Sequence, residues 1–485
     1  MTWPIRCTAC HRINCDMNQK GMEGRYPFPA DVKRDDLMYK LSIYNHLQPW
    51  NDGNYIAYNA FSGAVAMITP ENYKALKRIG GKLTSSETPD LGAEEQEFFN
   101  QLVYAGFVHR TDTDQTEEIA FNHYRARYDA ANPGYIIAPT MACNMACAYC
   151  FEGDKKGKMS DDTVGALLDR IEKNLVGTKS IAVCWYGGEP LLAMDIISKI
   201  TDSIFRMKEK AGFRYFGSII TNGYLLTPEN IDRLLELKVP TAQVTIDGPA
   251  RLHNRKRPLK NGKPSFERII ENIKYASDKM NVSIRVNIDK DFNIDMLDEM
   301  LTELAAAGLG EKARIYFGFL EPATAVCANI SENCHSPEDF SKAEIEYFRL
   351  MLERGFSIDK LPRPITNFCL AQTINGIVLD HEGVLYKCLN HIGDKSRSLG
   401  NIRDSDDYNH PNFTRLFRFD PFHNDKCSKC NILPICLGGC PSRRADREVG
   451  AEMMCEAWKH NLPEMLEIIA LSRYRRLKPE IKEKI

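Results

Sequence analysis

Short apolar segments alternate with amphipathic helical patterns from about residue 133 to residue 320, and this alternation constrains the fold more than any other feature. Strands that alternate with helices pair in parallel, because each helix returns the chain to the same edge of the sheet. The sequence therefore predicts an α/β fold whose six βα units form a parallel sheet, closed or half-closed as a barrel. The six predicted strands are GYIIAPT, SIAVCWYG, YFGSIITN, TAQVTID, VSIRVNI and ARIYFGFL.

The segments on either side of this series have different patterns. A hairpin that turns at Ser62-Gly63 is predicted by the alternation in NYIAYNAFSGAVAMI. A helix that starts at Thr-Pro is predicted for TPENYKALKRI, and a second helix for AEEQEFFNQLVYAGFVH. Beyond about residue 365 the pattern becomes short strands, loops and cysteines, and it ends in a helix from Glu452 onward. We expect five parts: a small N-terminal α+β region (1–130), the barrel (131–325), a helical connection (326–365), a cysteine-rich domain (366–460) and a C-terminal helix (461–485).

The composition excludes several classes of protein. Sixty-three Lys and Arg balance sixty-five Asp and Glu, so the formal charge is −2 and no large positive field is available to hold nucleic acid or an anionic membrane. No apolar run reaches the roughly 18 residues of a spanning helix. The N-terminal residues lack the basic-then-apolar order of a signal peptide, so we expect a cytoplasmic protein.

The chain has sixteen cysteines, and their distribution predicts metal binding. In a reducing compartment, dense cysteines more often bind metal or act in catalysis than form disulfides. Ten of the sixteen fall in two clusters, around 143–150 and 369–455. We interpret Cys184, which alternates with apolar neighbours in a predicted strand, as a core residue, and Cys7, Cys10 and Cys15 as incidental thiols of a terminal tail.

The first cluster, CNMACAYC, follows the first predicted strand of the barrel. Barrel chemistry lies at the carboxyl ends of the strands. Thiolates at Cys143, Cys147 and Cys150 can hold three corners of a [4Fe–4S] cube and leave the fourth iron without a protein ligand. A structural zinc site is the alternative, but it requires four protein ligands.

Polar residues follow three of the next strands. Gly187 and Gly188 would let a ligand approach the backbone, and Glu189 beside them could hold an ammonium group. Thr221 and Asn222 end the third strand, and Arg257 follows the fourth, where it could hold a carboxylate. Each motif alone is equally typical of a turn or a helix cap, so the prediction rests on their occurrence at successive strand ends.

These motifs together resemble those of the radical S-adenosylmethionine (radical SAM) enzymes. The three cysteines match the family signature with Tyr149 as its aromatic, Gly187-Gly188-Glu189 matches the stretch that binds the methionine amine, and Thr221-Asn222 resembles Ser-Asn. The resemblance implies a partial (β/α)6 TIM-like barrel over roughly 135–320. It also implies a [4Fe–4S] cluster bound with S-adenosyl-L-methionine, and one-electron cleavage of that cofactor to a 5′-deoxyadenosyl radical that abstracts a substrate hydrogen.

The seven cysteines of the second cluster resemble the SPASM extension of this family, which carries two auxiliary [4Fe–4S] clusters. The resemblance implies that a distal cluster is bound by Cys427, Cys430, Cys436 and Cys455, and a proximal one by Cys369, Cys388 and Cys440. Cys334, or else Cys327, could supply a fourth proximal ligand; otherwise one iron stays open. A zinc ribbon would explain CSKCNILPICLGGC alone, but not the full array. His391 and Asp394 could lie near the proximal cluster and transfer protons, or could occupy an ordinary turn.

Within the SPASM proteins, the sequences of the motifs around these cysteines resemble those of enzymes that modify ribosomally synthesised peptides. The resemblance favours an enzyme that installs a thioether, carbon–carbon or ether crosslink. The sulfatase-maturating group usually carries Asp after the cysteine that matches Cys388, whereas this chain has Leu389. Sulfatase-type side-chain oxidation is therefore the alternative, and an iron–sulfur electron carrier or zinc scaffold the non-enzymatic one. The N-terminal region resembles a leader-recognition domain, whose strand edge could pair with a precursor peptide, although a domain that merely buttresses the barrel would show the same pattern. We also expect an electron donor such as flavodoxin or ferredoxin.

Overall fold

The computed structural model describes residues 38–83, 91–150, 156–320, 332–404, 409–446 and 455–475. The strands are β1 Tyr39–Leu41, β2 Asn45–Pro49, β3 Tyr55–Asn59, β4 Ala64–Ile68, β5 Val108–Arg110, β6 Gly134–Ile137, β7 Ser180–Trp185, β8 Arg214–Thr221, β9 Thr241–Thr245, β10 Asn281–Ile288, β11 Arg314–Phe319, β12 Gly376–Leu379 and β13 Leu385–Tyr386. The helices are α1 Pro70–Lys82, α2 Ala93–Tyr104, α3 Gln115–Tyr128, α4 Asp161–Lys173, α5 Met194–Ala211, α6 Pro228–Glu236, α7 Ala250–Lys256, α8 Phe266–Ser277, α9 Ile294–Ala306, α10 Pro337–Glu353, α11 Pro411–Thr414, α12 Asp425–Ser428, α13 Leu433–Cys436, α14 Pro441–Asp446 and α15 Trp458–Arg475.

The central sheet has eight strands in the order β11-β10-β9-β8-β7-β6-β12-β13. The six predicted strands are β6 to β11; they lie side by side in chain order and pair in parallel. The sheet has two ends, at β11 and β13, so the barrel is partial. The predicted α/β fold is confirmed.

Two strands from the C-terminal region extend this sheet. β12 pairs in parallel with β6, Ile377 lying opposite Tyr135, and β13 returns antiparallel. The backbone N–H of Ala138 donates to Leu379 O at 2.8 Å, so β12 ends at the same edge as β6. The cysteine-rich region is therefore built onto the barrel sheet, which its irregular sequence pattern did not predict.

Apolar side chains fill the space between the sheet and its helices. Trp185, Ile219 and Val244 are buried on the strands, and Ile200 and Ile204 face them from α5. Burying each such side chain stabilises the fold by about 1.5–3 kcal/mol. This core holds the strand ends, and the residues that follow them, in fixed positions.

The N-terminal region forms a three-stranded antiparallel sheet, β2-β3-β4, with helices packed against it. The predicted hairpin is β3 and β4, with Gly63 at a φ of +72° in its turn. The Thr69 hydroxyl accepts from the Asn72 N–H at 3.3 Å and caps α1, as Thr-Pro predicts. The second predicted helix ends early, because Gly106 adopts a φ of +80° and the chain enters β5.

The N-terminal sheet also packs against the cysteine-rich region. Tyr44, Ile56 and Tyr58 share one apolar cluster with residues of α13 and α15. The Tyr58 hydroxyl donates to Pro362 O at 2.8 Å. The C-terminal helix α15 runs from Trp458 to Arg475; residues 452–454 and 476–485 of the predicted helical stretch lie outside the described residues. Within the described ranges, no helix is both long enough and apolar enough to cross a bilayer.

Candidate functional site at the carboxyl edge of the sheet

The loop that carries Cys143, Cys147 and Cys150 leaves β6 at the carboxyl edge of the sheet. It is held by the segment that follows α7: Ala146 N–H donates to Pro258 O at 2.9 Å, and Lys260 N–H donates to Asn144 O at 2.9 Å. Cys143 is buried and its sulfur accepts from Met145 N–H at 3.4 Å, whereas Cys147 and Cys150 are half-buried. The fold thus places the predicted thiols where barrel enzymes carry their reactive groups.

Gly187 and Gly188 lie directly against this loop. A Cβ on Gly187 would come 2.4 Å from Thr140 O, and one on Gly188 would come 2.3 Å from Met141 O. Gly188 N–H donates to Thr140 O at 3.2 Å. The two glycines therefore admit the backbone of the cysteine loop, and their predicted role in binding a ligand stays a prediction.

Glu189 is completely buried and joins three elements. One carboxylate oxygen accepts from Leu191 N–H at 3.1 Å and from the Thr221 hydroxyl at 2.7 Å, and the other from Asn222 N–H at 2.8 Å. Burial raises the pKa of Glu189, whereas these three hydrogen bonds and the positive charge of the nearby Arg257 oppose that rise. The carboxylate in this structure ties the end of β8 to the Gly-Gly turn.

Asn222 extends the same connection to the cysteine loop. Its side-chain amide donates to Asn144 Oδ1 at 2.7 Å and lies 3.8 Å from the sulfur of Cys143. Its own Oδ1 accepts from Tyr224 N–H at 2.9 Å. The ends of β6, β7 and β8 thus meet around Cys143, as the sequence predicts.

Arg257 and the half-buried Tyr149 form a second group with Asp247, which follows β9. Arg257 donates from Nη1 to the Tyr149 hydroxyl, and that hydroxyl donates to Asp247. Asp247 also lies 3.5 Å from Arg257 Nη1 and accepts from Asn287 N–H at 3.1 Å. Burial opposes the charge of Arg257, but the adjacent Tyr149, Cys147 and Asp247 outweigh it and raise its pKa.

Sequence reasoning missed Asp247 and Asn287 as parts of this group. The signal for Asp247 was its position after the fourth strand, in TIDG. The Nε of Arg257 is buried and has no hydrogen-bond partner among the described residues. A buried guanidinium N–H without a partner is suited to an anionic ligand such as a carboxylate.

Cys369, Cys388 and Cys440 lie near one another beside β12. Partial burial raises the pKa of Cys388 to about 12, and the neighbouring Cys440 and Cys369 add to that shift. Cys369 is exposed as a residue, but the packing around its sulfur raises the pKa of that thiol, and Cys440 adds to the shift. The buried ammonium of Lys387 opposes the shift at Cys369. This is the group of three that the sequence assigned to a proximal cluster.

Cys427, Cys430, Cys436 and Cys455 form the other group. Burial is the main reason why the thiol pKa values of Cys427 and Cys436 are raised, that of Cys436 to about 12. The neighbouring Cys455 adds to both shifts. Cys430 acts in the same way on Cys455. The four predicted distal ligands are therefore electrostatic neighbours.

No group of three or more His, Cys, Asp or Glu side chains among the described residues has the arrangement of a finished metal site. None of the twelve described cysteines forms a disulfide. The thiol sets fit iron–sulfur clusters in their number, chemistry and neighbourhood.

The remaining candidate ligands are more scattered. Cys334 lies in a segment attached to the end of β10, where Lys290 N–H donates to Asn333 O at 2.9 Å. Nothing among the described contacts joins Cys334 to Cys369 or Cys388, so its role as fourth ligand stays a prediction. Cys327, Cys7, Cys10 and Cys15 lie outside the described residues.

The other polar residues singled out from the sequence have clear structural contacts. His391 is buried beside Ser442, 2.8 Å from its hydroxyl, and Ser442 lies next to Cys388, whose thiol pKa it lowers against the larger effect of burial. Asp394 caps a turn by accepting from Ser396 N–H at 3.0 Å. Cys184 is half-buried on β7 opposite Ile136, away from the three cysteine groups.

The chain is similar in sequence and in fold to known proteins. Residues 137–304 match the family described as the Radical SAM superfamily. A cysteine-type anaerobic sulfatase-maturating enzyme of Clostridium perfringens is 26% identical over 370 residues, which are 67% of this chain and 94% of that protein. The radical SAM cyclopropyl synthase TigE of Paramaledivibacter caminithermalis is 22% identical over 289 residues, 53% of this chain and 60% of that protein. The structure of native anSMEcpe with bound AdoMet and Kp18Cys peptide superposes with a TM-score of 0.53 at 20% identity, covering 70% of this chain and 99% of that one.

Proposed function

We propose, from the premise that this chain is an enzyme of the radical SAM superfamily, that it is a SPASM-type maturase of a ribosomally synthesised peptide. It would abstract hydrogen from a side-chain or α carbon and install a thioether, carbon–carbon or ether crosslink. The observation that carries this proposal is the convergence of the Cys143–Cys150 loop, the Gly187-Gly188-Glu189 turn and Asn222 at one edge of the sheet.

The chain's own residues have distinct roles in this proposal. Cys143, Cys147 and Cys150 would hold a [4Fe–4S] cluster, which together with S-adenosyl-L-methionine supplies the electron and the radical. The buried Nε of Arg257 would hold the methionine carboxylate, since it lacks a partner in the described residues. Glu189 and Asn222 would position the cysteine loop. Glu189 accepts a hydrogen bond from Asn222 N–H, and the Asn222 side chain donates to Asn144 in that loop.

The two further cysteine groups would bind auxiliary [4Fe–4S] clusters. Burial raises the thiol pKa of Cys388, with Cys440 and Cys369 adding to that shift, and burial also raises the thiol pKa of Cys455, with Cys430 adding to it. These neighbours support a division into Cys369, Cys388 and Cys440 in one group and the other four cysteines in the second. A cluster with three protein thiolates keeps one iron open to a substrate or to a further ligand. The auxiliary clusters would accept the second electron of the oxidation or bind the peptide directly.

The N-terminal region would recognise the leader of the precursor peptide. In the β2-β3-β4 sheet, β2 already faces the cysteine-rich region, with His46 Nε2 3.2 Å from Asn431 O. The other end of that sheet is β4, and an extended peptide could add to it through main-chain hydrogen bonds. An external one-electron donor such as flavodoxin or ferredoxin would complete the system.

Oxidation of a protein side chain, as in sulfatase maturation, is the second candidate. It is favoured by the 26% identity with the Clostridium perfringens enzyme over 94% of its length. It is opposed by Leu389, which follows Cys388 where the resemblance leads us to expect Asp. An aliphatic side chain cannot accept a proton, so that reaction would need another base.

The direct test is anaerobic incubation of the reconstituted protein with S-adenosyl-L-methionine and titanium(III) citrate, followed by chromatography for 5′-deoxyadenosine. We expect the product from the wild type and none from Cys147→Ala. A candidate precursor peptide should then lose two hydrogens in the mass spectrum, whereas a sulfatase peptide should stay unchanged. Absence of 5′-deoxyadenosine from a protein with a full iron content would contradict the proposal.

A further inference from the structure

We propose that Arg285, inside the partial barrel, binds a carboxylate of the substrate peptide close to the residue that is modified. The carboxylate would come from an Asp or Glu side chain or from the C-terminus of the peptide. This inference deepens the proposed function and rests on it, since it assumes that a peptide enters the barrel.

Arg285 lies on the face of the sheet that points away from the helices. Its neighbours on β10, Ile284 and Val286, are completely buried in the core between the sheet and the helices. Successive side chains of a strand point to opposite faces, so Arg285 points into the barrel, where it is only half-buried. Gln243 on β9 and Tyr316 on β11 alternate with core residues in the same way and are half-buried as well.

The guanidinium group of Arg285 is held in place by its neighbours. Its Nε donates to Asn287 Oδ1 at 2.8 Å. Its Cζ lies 5.9 Å from the ring centre of Tyr316, the residue directly opposite on β11, and the Tyr316 hydroxyl is itself fixed by donating to Gln243. A Cβ on Gly318 would come 2.6 Å from Nη2 of Arg285, so the glycine provides the space that the group occupies.

The two terminal nitrogens of Arg285 are available for a ligand. Among the described residues, neither nitrogen has a hydrogen-bond partner, and no carboxylate forms an ion pair with the group. The cations nearer the edge of the sheet are paired, Lys256 with Asp289 at 2.6 Å and Arg257 with Asp247 at 3.5 Å. Because a guanidinium group can donate two parallel hydrogen bonds to one carboxylate, Arg285 is suited to an anionic ligand of this kind.

The position of Arg285 favours the substrate over the cofactor as the source of this carboxylate. Asn287 connects Arg285 with the site at the edge of the sheet, since its side-chain amide donates to the Tyr149 hydroxyl at 3.3 Å. Arg285 lies two residues earlier on β10, which is about 7 Å deeper in the barrel. The carboxylate of S-adenosyl-L-methionine is already assigned to Arg257 at the edge. A second carboxylate below it would belong to the peptide whose hydrogen is abstracted.

The inner face next to this group is apolar. Ile220 on β8 lies opposite Gln243, and it packs with Ile136 and Leu389 against one apolar cluster. A peptide segment that combines an apolar side chain with a nearby acid would therefore match both parts of the inner face.

The test compares how three pentapeptides bind to the full-length holoenzyme under anaerobic conditions, with S-adenosyl-L-methionine present. The probes carry an uncharged dye and are Leu-Ser-Glu-Gly-Gly amide, Leu-Ser-Gln-Gly-Gly amide and Leu-Ser-Gln-Gly-Gly with a free C-terminus; fluorescence anisotropy gives each Kd. The variants are Arg285→Gln and Arg285→Lys, which keeps the charge but cannot form two parallel hydrogen bonds. The matched control is Arg314→Gln, which removes an exposed arginine of β11 that pairs with Asp359 at 3.5 Å. Iron content and circular dichroism verify each variant.

We expect the wild type to bind one of the two acidic probes at least about tenfold more tightly than the uncharged probe. Preference for the Glu probe would assign a side-chain carboxylate to Arg285, and preference for the free C-terminus would assign the end of the peptide. The preference should vanish in Arg285→Gln, persist in part in Arg285→Lys and persist fully in the control.

No measurable binding by the wild type, or equal affinity for all three probes, would overturn the role of Arg285. A preference that survives Arg285→Gln, or one that the control also loses, would overturn it as well. If the wild type removes no hydrogens from a precursor peptide, that result counts against the proposed function, and the binding comparison still decides the role of Arg285.

Discussion

The carboxylate of Glu189 accepts a hydrogen bond of 2.8 Å from the backbone N–H of Asn222, across the space between the ends of β7 and β8. Asn222 in turn donates to Asn144 in the cysteine loop at 2.7 Å. A continuous set of buried hydrogen bonds thus fixes three strand ends relative to Cys143.

Replacing Glu189 with Gln should destabilise the protein by about 1–3 kcal/mol, because one of the two oxygens becomes an NH₂ group that faces a buried donor. The change is measured by urea unfolding of the apoprotein. The matched control is Glu236→Gln on α6, whose exposed carboxylate pairs with Arg233 at 2.9 Å. That surface pair should contribute at most about 1 kcal/mol. Equal effects of the two substitutions would contradict the role assigned to Glu189.

Replacing Gly188 with Ala should displace the cysteine loop, since the added Cβ would lie 2.3 Å from Met141 O and 2.4 Å from Ala142 O. We expect a lower melting temperature and loss of the iron bound by Cys143, Cys147 and Cys150. The control is Gly165→Ala in α4, where nothing lies within 4 Å of the new Cβ. That substitution should stabilise the helix by about 0.5–1 kcal/mol. A Gly188→Ala protein with full iron content would argue against the close approach.

Stability should fall in mildly acidic solution, partly because of His253. Burial lowers the pKa of this histidine well below 6.5, and nearby Arg257 lowers it further. Below pH 6.5 the unfolded chain binds a proton at this histidine, whereas the folded chain does not. The free energy of unfolding therefore falls by up to about 1.4 kcal/mol for each pH unit below that value. His253→Asn keeps an acceptor for Asp247 N–H but cannot titrate. Its urea-unfolding free energy should decline less between pH 7 and pH 5 than that of the wild type, and an identical decline would refute the assignment.

Single substitutions should separate the two auxiliary cysteine groups. Cys388→Ser should disturb the group formed with Cys369 and Cys440 and leave the other group intact, because the two sets have different electrostatic neighbours. Cys455→Ser should do the reverse. Each substitution should abolish one set of paramagnetic resonance signals of the reduced protein and spare the other. Loss of the same signals from both variants would mean that the seven cysteines form one site.

The strands of the barrel were predictable, because each alternates with a helix and has an apolar run of its own. β12 was not, since its pairing with β6 joins segments about 240 residues apart. The position of the site was also predictable from strand order, but its internal contacts were not. The sequence suggested that Gly188 and Glu189 face a ligand, which stays a prediction, and it did not reveal their contacts with the cysteine loop and with Asn222. Such contacts depend on how three strand ends meet, which local patterns do not encode.

The most direct test of the account is the iron and acid-labile sulfide content of anaerobically purified protein, for the wild type and for Cys143→Ala/Cys147→Ala/Cys150→Ala. Three four-iron cubes predict about twelve irons per chain in the wild type and about eight in the variant. About four irons in the wild type, or zinc in place of iron, would contradict the auxiliary clusters. An iron content that the triple substitution leaves unchanged would contradict the catalytic cluster itself.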